Sequence, residues 1–216
     1  MSKSVYSIVL SDEVVRAVDV MAARLGTNRS NLINQILAER VSVMTPEKRM
    51  RDIFESIFAL MDDSFIKDAA APGSALSMRS SIAYKYKPTV RYSVELTKTP
   101  EGDRIGNLRI SFRTRSQAFM EMLGIFYRLW IMNERQYTQR RIEYKAESDR
   151  LTRGIYFPAG RKTADTQLIG GLISEYIKAF DKALKAFFAY ADDIELASAK
   201  VAELYRLGLK NGISDI

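Results

Sequence analysis

The sequence predicts an α+β chain: a short strand and two amphipathic helices at the N-terminus, then a mainly helical domain containing an antiparallel β-hairpin. Three observations predict it. Residues 3 to 10, KSVYSIVL, alternate with a period of two. Residues 14 to 41 carry apolar side chains at three- and four-residue spacing, with a glycine stop midway. Residues 82 to 112 alternate again on both sides of a PEGD turn.

In the first stretch Tyr6, Ile8 and Leu10 share one face, and Lys3, Val5, Ser7 and Val9 the other. Ser11 stands at an N-cap position, with Asp12 and Glu13 in the first turn where carboxylates favour the helix dipole. Val14, Val15, Val18, Met21, Ala22 and Leu25 form one apolar face, and Gly26 stops the helix. Asn28 then caps a second helix lined by Leu32, Ile33, Ile36, Leu37 and Val41. A lone strand leaves its ladder groups unpaired, and a unit of about forty residues buries too little surface to stand alone. A second copy solves both problems, with two strands pairing antiparallel about a twofold axis above four helices. The expected state is therefore a homodimer or higher homo-oligomer.

YSIVLSDEV at 6 to 14, RLG at 24 to 26 and TNRSNLI at 27 to 33 resemble the ribbon-helix-helix DNA-binding proteins of the Arc, MetJ and CopG type. The resemblance covers residues 3 to 42, and it implies a ribbon that enters the major groove of double-stranded DNA. Val5, Ser7 and Val9 would then read base edges, with Lys3 toward the flanking backbone. The start of the second helix, at Asn28, Arg29 and Ser30, would clamp a phosphate through free N–H groups and the helix dipole. This sequence departs from a strong reader in two ways. Two of the three reading positions are valine, which touches a thymine methyl but cannot hydrogen-bond a base. Residues 1 to 45 carry five Lys and Arg against four acids, a net of +1.

Past this module, Thr45 and Pro46 start a helix that runs to about residue 64 and carries Met50, Ile53, Phe54, Ile57 and Met61 on one face. Residues 65 to 81 contain KDAAAPGSALSMRSS, whose small residues and Pro72-Gly73 read as a linker. A strand is expected over 82 to 98, with Ile82, Tyr84, Tyr86, Val90, Tyr92, Val94 and Leu96 on one face. Leu108, Ile110 and Phe112 return on a second strand. Lys85, Lys87, Arg91, Arg109 and Arg113, joined by Arg115, make the opposite face basic. That face reads either as a second polyanion surface with interleaved tyrosines or as the solvated side of a half-buried sheet. From Ser116 the pattern is helical, with Phe119, Met122, Leu123, Phe126, Leu129 and Trp130 as a core stripe. ERQYTQRRIEYKAESDRLTR at 134 to 153 reads as a solvated helix end, in which Arg140, Arg141, Lys145 and Arg150 are the cations available to nucleic acid. YFPAGRK at 156 to 162 is a loop, and helices are expected at 164 to 190 and 192 to 208. The expected domains are thus residues 1 to 44, a helix and linker over 45 to 81, and 82 to 216.

Composition narrows the function classes. The chain has 216 residues, no histidine and no cysteine, which removes His and Cys metal sites, imidazole acid–base work and thiolate nucleophiles. No EF-hand, dinucleotide-binding or phosphate-loop glycine pattern is present, so no cofactor and no enzymatic activity are expected. There is no secretory leader pattern and no apolar run of membrane-spanning length, which points to a cytoplasmic protein without a membrane partner. An excess of 33 Lys and Arg over 26 Asp and Glu gives a net charge of +7, a moderate bias toward polyanions. The function expected is a dimeric, sequence-specific DNA-binding protein, a transcriptional or plasmid-type regulator such as a repressor. The alternative is an interaction protein whose N-terminal module only dimerises a C-terminal binding platform. The sequence identifies no effector.

Overall fold

The computed structural model describes residues 5–68, 74–84, 87–114, 116–158, 160 and 165–216. The chain divides into two compact units, Met1–Lys48 and Arg49–Ile216. The first unit holds helix α1 (Asp12–Arg24) and helix α2 (Arg29–Arg40). Ser11 precedes α1 in an extended conformation but makes no side-chain cap. Gly26 adopts φ +61°, the left-handed conformation that ends a helix without a Cβ penalty. Asn28 caps α2, its side chain accepting from the Asn31 N–H at 2.9 Å. Between the two helices Val18, Ala22 and Leu32 form a small buried cluster, with Ile33 packed against it.

The strand expected at 3 to 10 is not formed. Residues 5 to 11 belong to no helix or strand, and Val5 and Val9 stand 98% and 101% exposed. A strand exists only through the N–H and C=O groups of a neighbour, and no described strand pairs with this segment. Among the described residues the N-terminal unit of the single chain is a helical hairpin preceded by an unpaired leader.

Helix α3 (Pro46–Ala59) begins as expected, with the Lys48 N–H donating to Thr45 Oγ1 at 3.1 Å. Its residues Met50, Ile53 and Ile57 enter the core of the second unit. That unit is a six-stranded antiparallel sheet: β1 (Ile66–Lys67), β2 (Ala75–Ser81), β3 (Thr89–Glu101), β4 (Arg104–Phe112), β5 (Tyr144–Ala146) and β6 (Arg150–Tyr156), in the order β1-β2-β3-β4-β6-β5. Helices α4 (Gln117–Tyr137), α5 (Thr166–Ala189) and α6 (Ile194–Leu209) share a continuous core with α3 and with the sheet's apolar side. Leu76, Met78, Val90, Tyr92, Val94, Leu108, Ile110 and Leu151 point into it. Their partners in the alternation carry the polar side.

Three expectations change. Residues 75 to 81 are not a linker: Leu76 and Met78 are buried and β2 pairs along its length with β3. The alternation over 82 to 98 covers a turn as well as a strand. Ser81 pairs with Thr89, so the chain must reverse between them, and the Ile82 N–H donates to the Pro88 carbonyl at 3.0 Å. Proline needs no ladder donor there, and Lys87 takes the left-handed φ of 42° that closes the turn. Residues 134 to 153 are not a solvated helix end, since α4 stops at Tyr137 and the chain returns as β5 and β6. The hairpin expected from PEGD does form, with Gly102 at φ +65° in its tip. It is the centre of a sheet and not an appendage of a helical domain.

Two polar networks lie inside this core. Glu134 on α4 and Arg153 on β6 are 0% and 1% exposed and meet at 2.7 Å. The Tyr176 hydroxyl donates to the other Glu134 oxygen at 2.8 Å while accepting from Trp130 Nε1 at 2.7 Å. Arg153 also donates to the Gly154 carbonyl at 2.8 Å and to the Ile216 main-chain oxygen. Burial alone would lower the Arg153 guanidinium, but Glu134 beside it holds it above its ordinary value. The second network centres on Asp181, 3% exposed, which accepts from the Tyr92 hydroxyl at 2.8 Å and pairs with Lys185 at 2.6 Å. Gly170 has a packing reason: a Cβ there would come within 2.5 Å of Ser56, so α3 and α5 approach as closely as glycine permits.

Removing one member of a dry ion pair strands the other charge in the core, at a cost of about 3–5 kcal/mol. Glu134→Gln should therefore lower the unfolding free energy extrapolated from a urea titration by about that much. Trp130, the chain's single tryptophan, reports the transition through its fluorescence. A loss below about 1 kcal/mol would place the pair in water and contradict its burial.

Candidate functional site

In the N-terminal unit the helix pair sets Asn28, Arg29 and Ser30 on an exposed corner at the start of α2. Asn28 uses its side chain to satisfy one end donor, and the main-chain N–H groups of the first turn remain directed outward, as helix geometry requires. Arg29 is already engaged. Its Nε and Nη2 donate to the two Asp19 oxygens of α1 at 2.7 and 2.6 Å, a bidentate fork between half-exposed side chains. The sequence reading missed that pairing, since Asp19 and Arg29 lie on different helices and meet only when α1 and α2 fold against each other. Ser7 and the two valines of the expected reading face lie on the unpaired leader before α1, and Lys3 lies outside the described residues.

The second basic surface is partly assembled. On the polar side of the sheet Arg79 of β2 stands opposite Arg91 of β3, and Ser111 of β4 follows in the same row. Arg79, Lys87, Arg91 and Arg113 line one recess of about 410 Å³ together with Thr89 and Ser111. Arg109 is one row away and pairs with Glu95 at 3.1 Å, and Lys85 lies outside the described residues, as does Arg115. Asp68 bridges Arg79 and Arg91, at 2.5 and 3.1 Å. Arg79 and Asp68 went unread because both fell in the expected linker. The signal was there: Leu76, Met78 and Ser80 alternate with Ser77 and Arg79, but two apolar side chains are too few to mark a strand.

The cations at 140 to 150 are mostly neutralised. Arg140 lies over the Tyr156 ring and 3.8 Å from Asp103, while Lys145 and Arg150 both pair with Glu147. Arg140 and Arg141 line a separate hollow of about 590 Å³ with Arg135, Glu143 and Tyr144. Among the described residues no group of three Asp or Glu could hold a metal ion, and no helix is long and apolar enough to cross a membrane. No protein-family model, curated protein or solved structure matches the chain.

The Arg29 fork makes a prediction about pH. Hydrogen bonds from Arg29 hold the Asp19 carboxyl below its ordinary 3.8. A lowered folded-state value means the pair stabilises the hairpin fully above 3.8 and is lost as pH falls through the depressed value. An NMR titration should find the Asp19 midpoint below 3.8. A midpoint at or above it would mean that Arg29 points into solvent and is free to meet a phosphate.

Proposed function

We propose that this chain is a dimeric, sequence-specific DNA-binding protein of the ribbon-helix-helix kind, acting in the cytoplasm as a transcriptional or plasmid-type regulator. One observation carries the reading. Among the described residues of the N-terminal unit four apolar side chains are buried, namely Val18, Ala22, Leu32 and Ala38. Fourteen larger ones from Val5 to Met44 are exposed. A soluble unit does not leave so much apolar surface to water without a partner for it. The exposed set has two parts. Tyr6, Ile8 and Leu10 share one side of the leader, while Val14, Met21, Leu25, Ile36 and Leu37 extend the apolar faces of α1 and α2. A second copy covers both at once: two leaders pair as an antiparallel ribbon above four helices.

In that dimer Val5, Ser7 and Val9 face away from the helices on each strand, toward the major groove. The first turn of α2 takes a phosphate on each side of the ribbon. The valines contact thymine methyls and Ser7 accepts or donates to a base edge. With one net positive charge over residues 1 to 45, the phosphate term is small, and binding depends on the clamp more than on bulk charge.

The Arg29–Asp19 fork favours the rival reading, an interaction protein whose N-terminal unit only dimerises, because the clamp arginine already has a partner. Selection from genomic DNA fragments by the full chain at two salt concentrations separates the two. Ile8→Pro removes a ladder donor without touching either helix, and should convert a dimer to a monomer by light scattering and abolish fragment selection. Arg29→Ala with Ser30→Ala should keep the dimer and cost about 10- to 100-fold in DNA affinity, the worth of one or two charge-assisted hydrogen bonds. A dimer that selects no fragment would leave the rival standing. A monomeric wild-type chain would sink both.

A further inference from the structure

We propose that the recess on the polar side of the sheet, between β2, β3 and the start of the segment after β4, binds a phosphate-bearing ligand. All the residues of this recess belong to the second unit. Across the rest of this side, cations are matched: Arg109 with Glu95, Arg104 with Glu143, and Lys145 and Arg150 with Glu147. The recess breaks that pattern. Arg79, Lys87, Arg91 and Arg113 converge on it, and among the described residues only Asp68 forms ion pairs with them. Lys87 and Arg113 make no ion pair among the described residues. Arg79 and Arg91 stand directly opposite on neighbouring strands, an arrangement of like charges that costs stability.

The geometry of the one acid matters. Asp68 approaches both arginines at Nε, through its two separate oxygens. A guanidinium has five N–H donors, so the terminal groups of both stay available while their planes are held in position. Thr89 and Ser111 add hydroxyl donors to the lining. Lys87 reaches the recess from the turn between β2 and β3. It is one of two non-glycine residues with positive φ among those described, at 42°.

Several cations around a hollow of about 410 Å³ suit a ligand with more than one negative group, a di- or triphosphate in preference to a single carboxylate. The same chemistry is offered by a free nucleotide and by consecutive phosphates of a nucleic-acid strand.

The test is calorimetric titration of the full chain at low salt with inorganic pyrophosphate, a nucleoside triphosphate and a short single-stranded oligonucleotide. Pyrophosphate should bind, and whichever of the other two binds more tightly identifies the source. Arg113→Ala should weaken pyrophosphate binding about tenfold, and Lys145→Ala, a charge change outside the recess, less than about twofold. Lys87→Gly keeps the experiment decisive even if another variant unfolds. Glycine tolerates the left-handed φ, so this variant should melt at an equal or higher temperature while binding pyrophosphate more weakly. Absence of binding by all three probes overturns the proposal. So does wild-type affinity in Lys87→Gly and Arg113→Ala, or an equal loss in Lys145→Ala, which would reduce the effect to net charge.

Discussion

The second unit depends on a sheet covered by helices on one side only. Every strand must then sort its residues by parity: Tyr92 inward and Arg91 outward, Ile110 inward and Arg109 outward. The inward set, with four helices, makes one continuous core. The outward set must stay polar, and antiparallel register brings those side chains into rows across strands that are distant in sequence. The recess of Arg79, Lys87, Arg91 and Arg113 is a consequence of that register. Its arginines come from three separate stretches of chain.

Parity also explains why Arg153 is buried. It falls on the inward side of β6, opposite Leu108 of β4 and Tyr144 of β5, where a charge is costly without a partner. Glu134 supplies the partner from α4, and Tyr176 from α5 satisfies the remaining carboxylate oxygen. The network therefore fixes a strand against two helices at one point. Trp130 completes it by donating to Tyr176, and its ring lies edge-on to that tyrosine at 5.7 Å. Hydrophobic contact alone would allow α4 and α5 to slide. A directional network of this kind allows one arrangement.

The N-terminal unit stands in contrast, with three buried side chains at the centre of its only cluster among the described residues. Its sequence has the helix signals, and the helices form. What it lacks is enough chain to cover its own apolar faces. An unpaired leader with exposed valines and an incomplete helical core share one physical origin, and the proposed pairing between copies would remove both.

Elements governed by short-range chemistry were legible in the sequence. The Asn28 cap, the Gly26 stop, the Gly102 turn, the Thr45 start of α3, the apolar stripe of α4 and the existence of helices α5 and α6 depend on residues within a few positions of one another. The helix start at Asn28, Arg29 and Ser30 was legible for the same reason. Tertiary structure alone decided the rest. It made 75 to 81 a strand, because β3 lay beside it to pair with. It left 5 to 11 unpaired, because nothing did. It turned Glu134 and Arg153 from surface charges into a buried pair, and drew Arg79 and Asp68 into the recess. Charge and polarity say what a side chain can do. Whether a residue meets water or another strand depends on partners tens of residues away, and no local pattern encodes that distance.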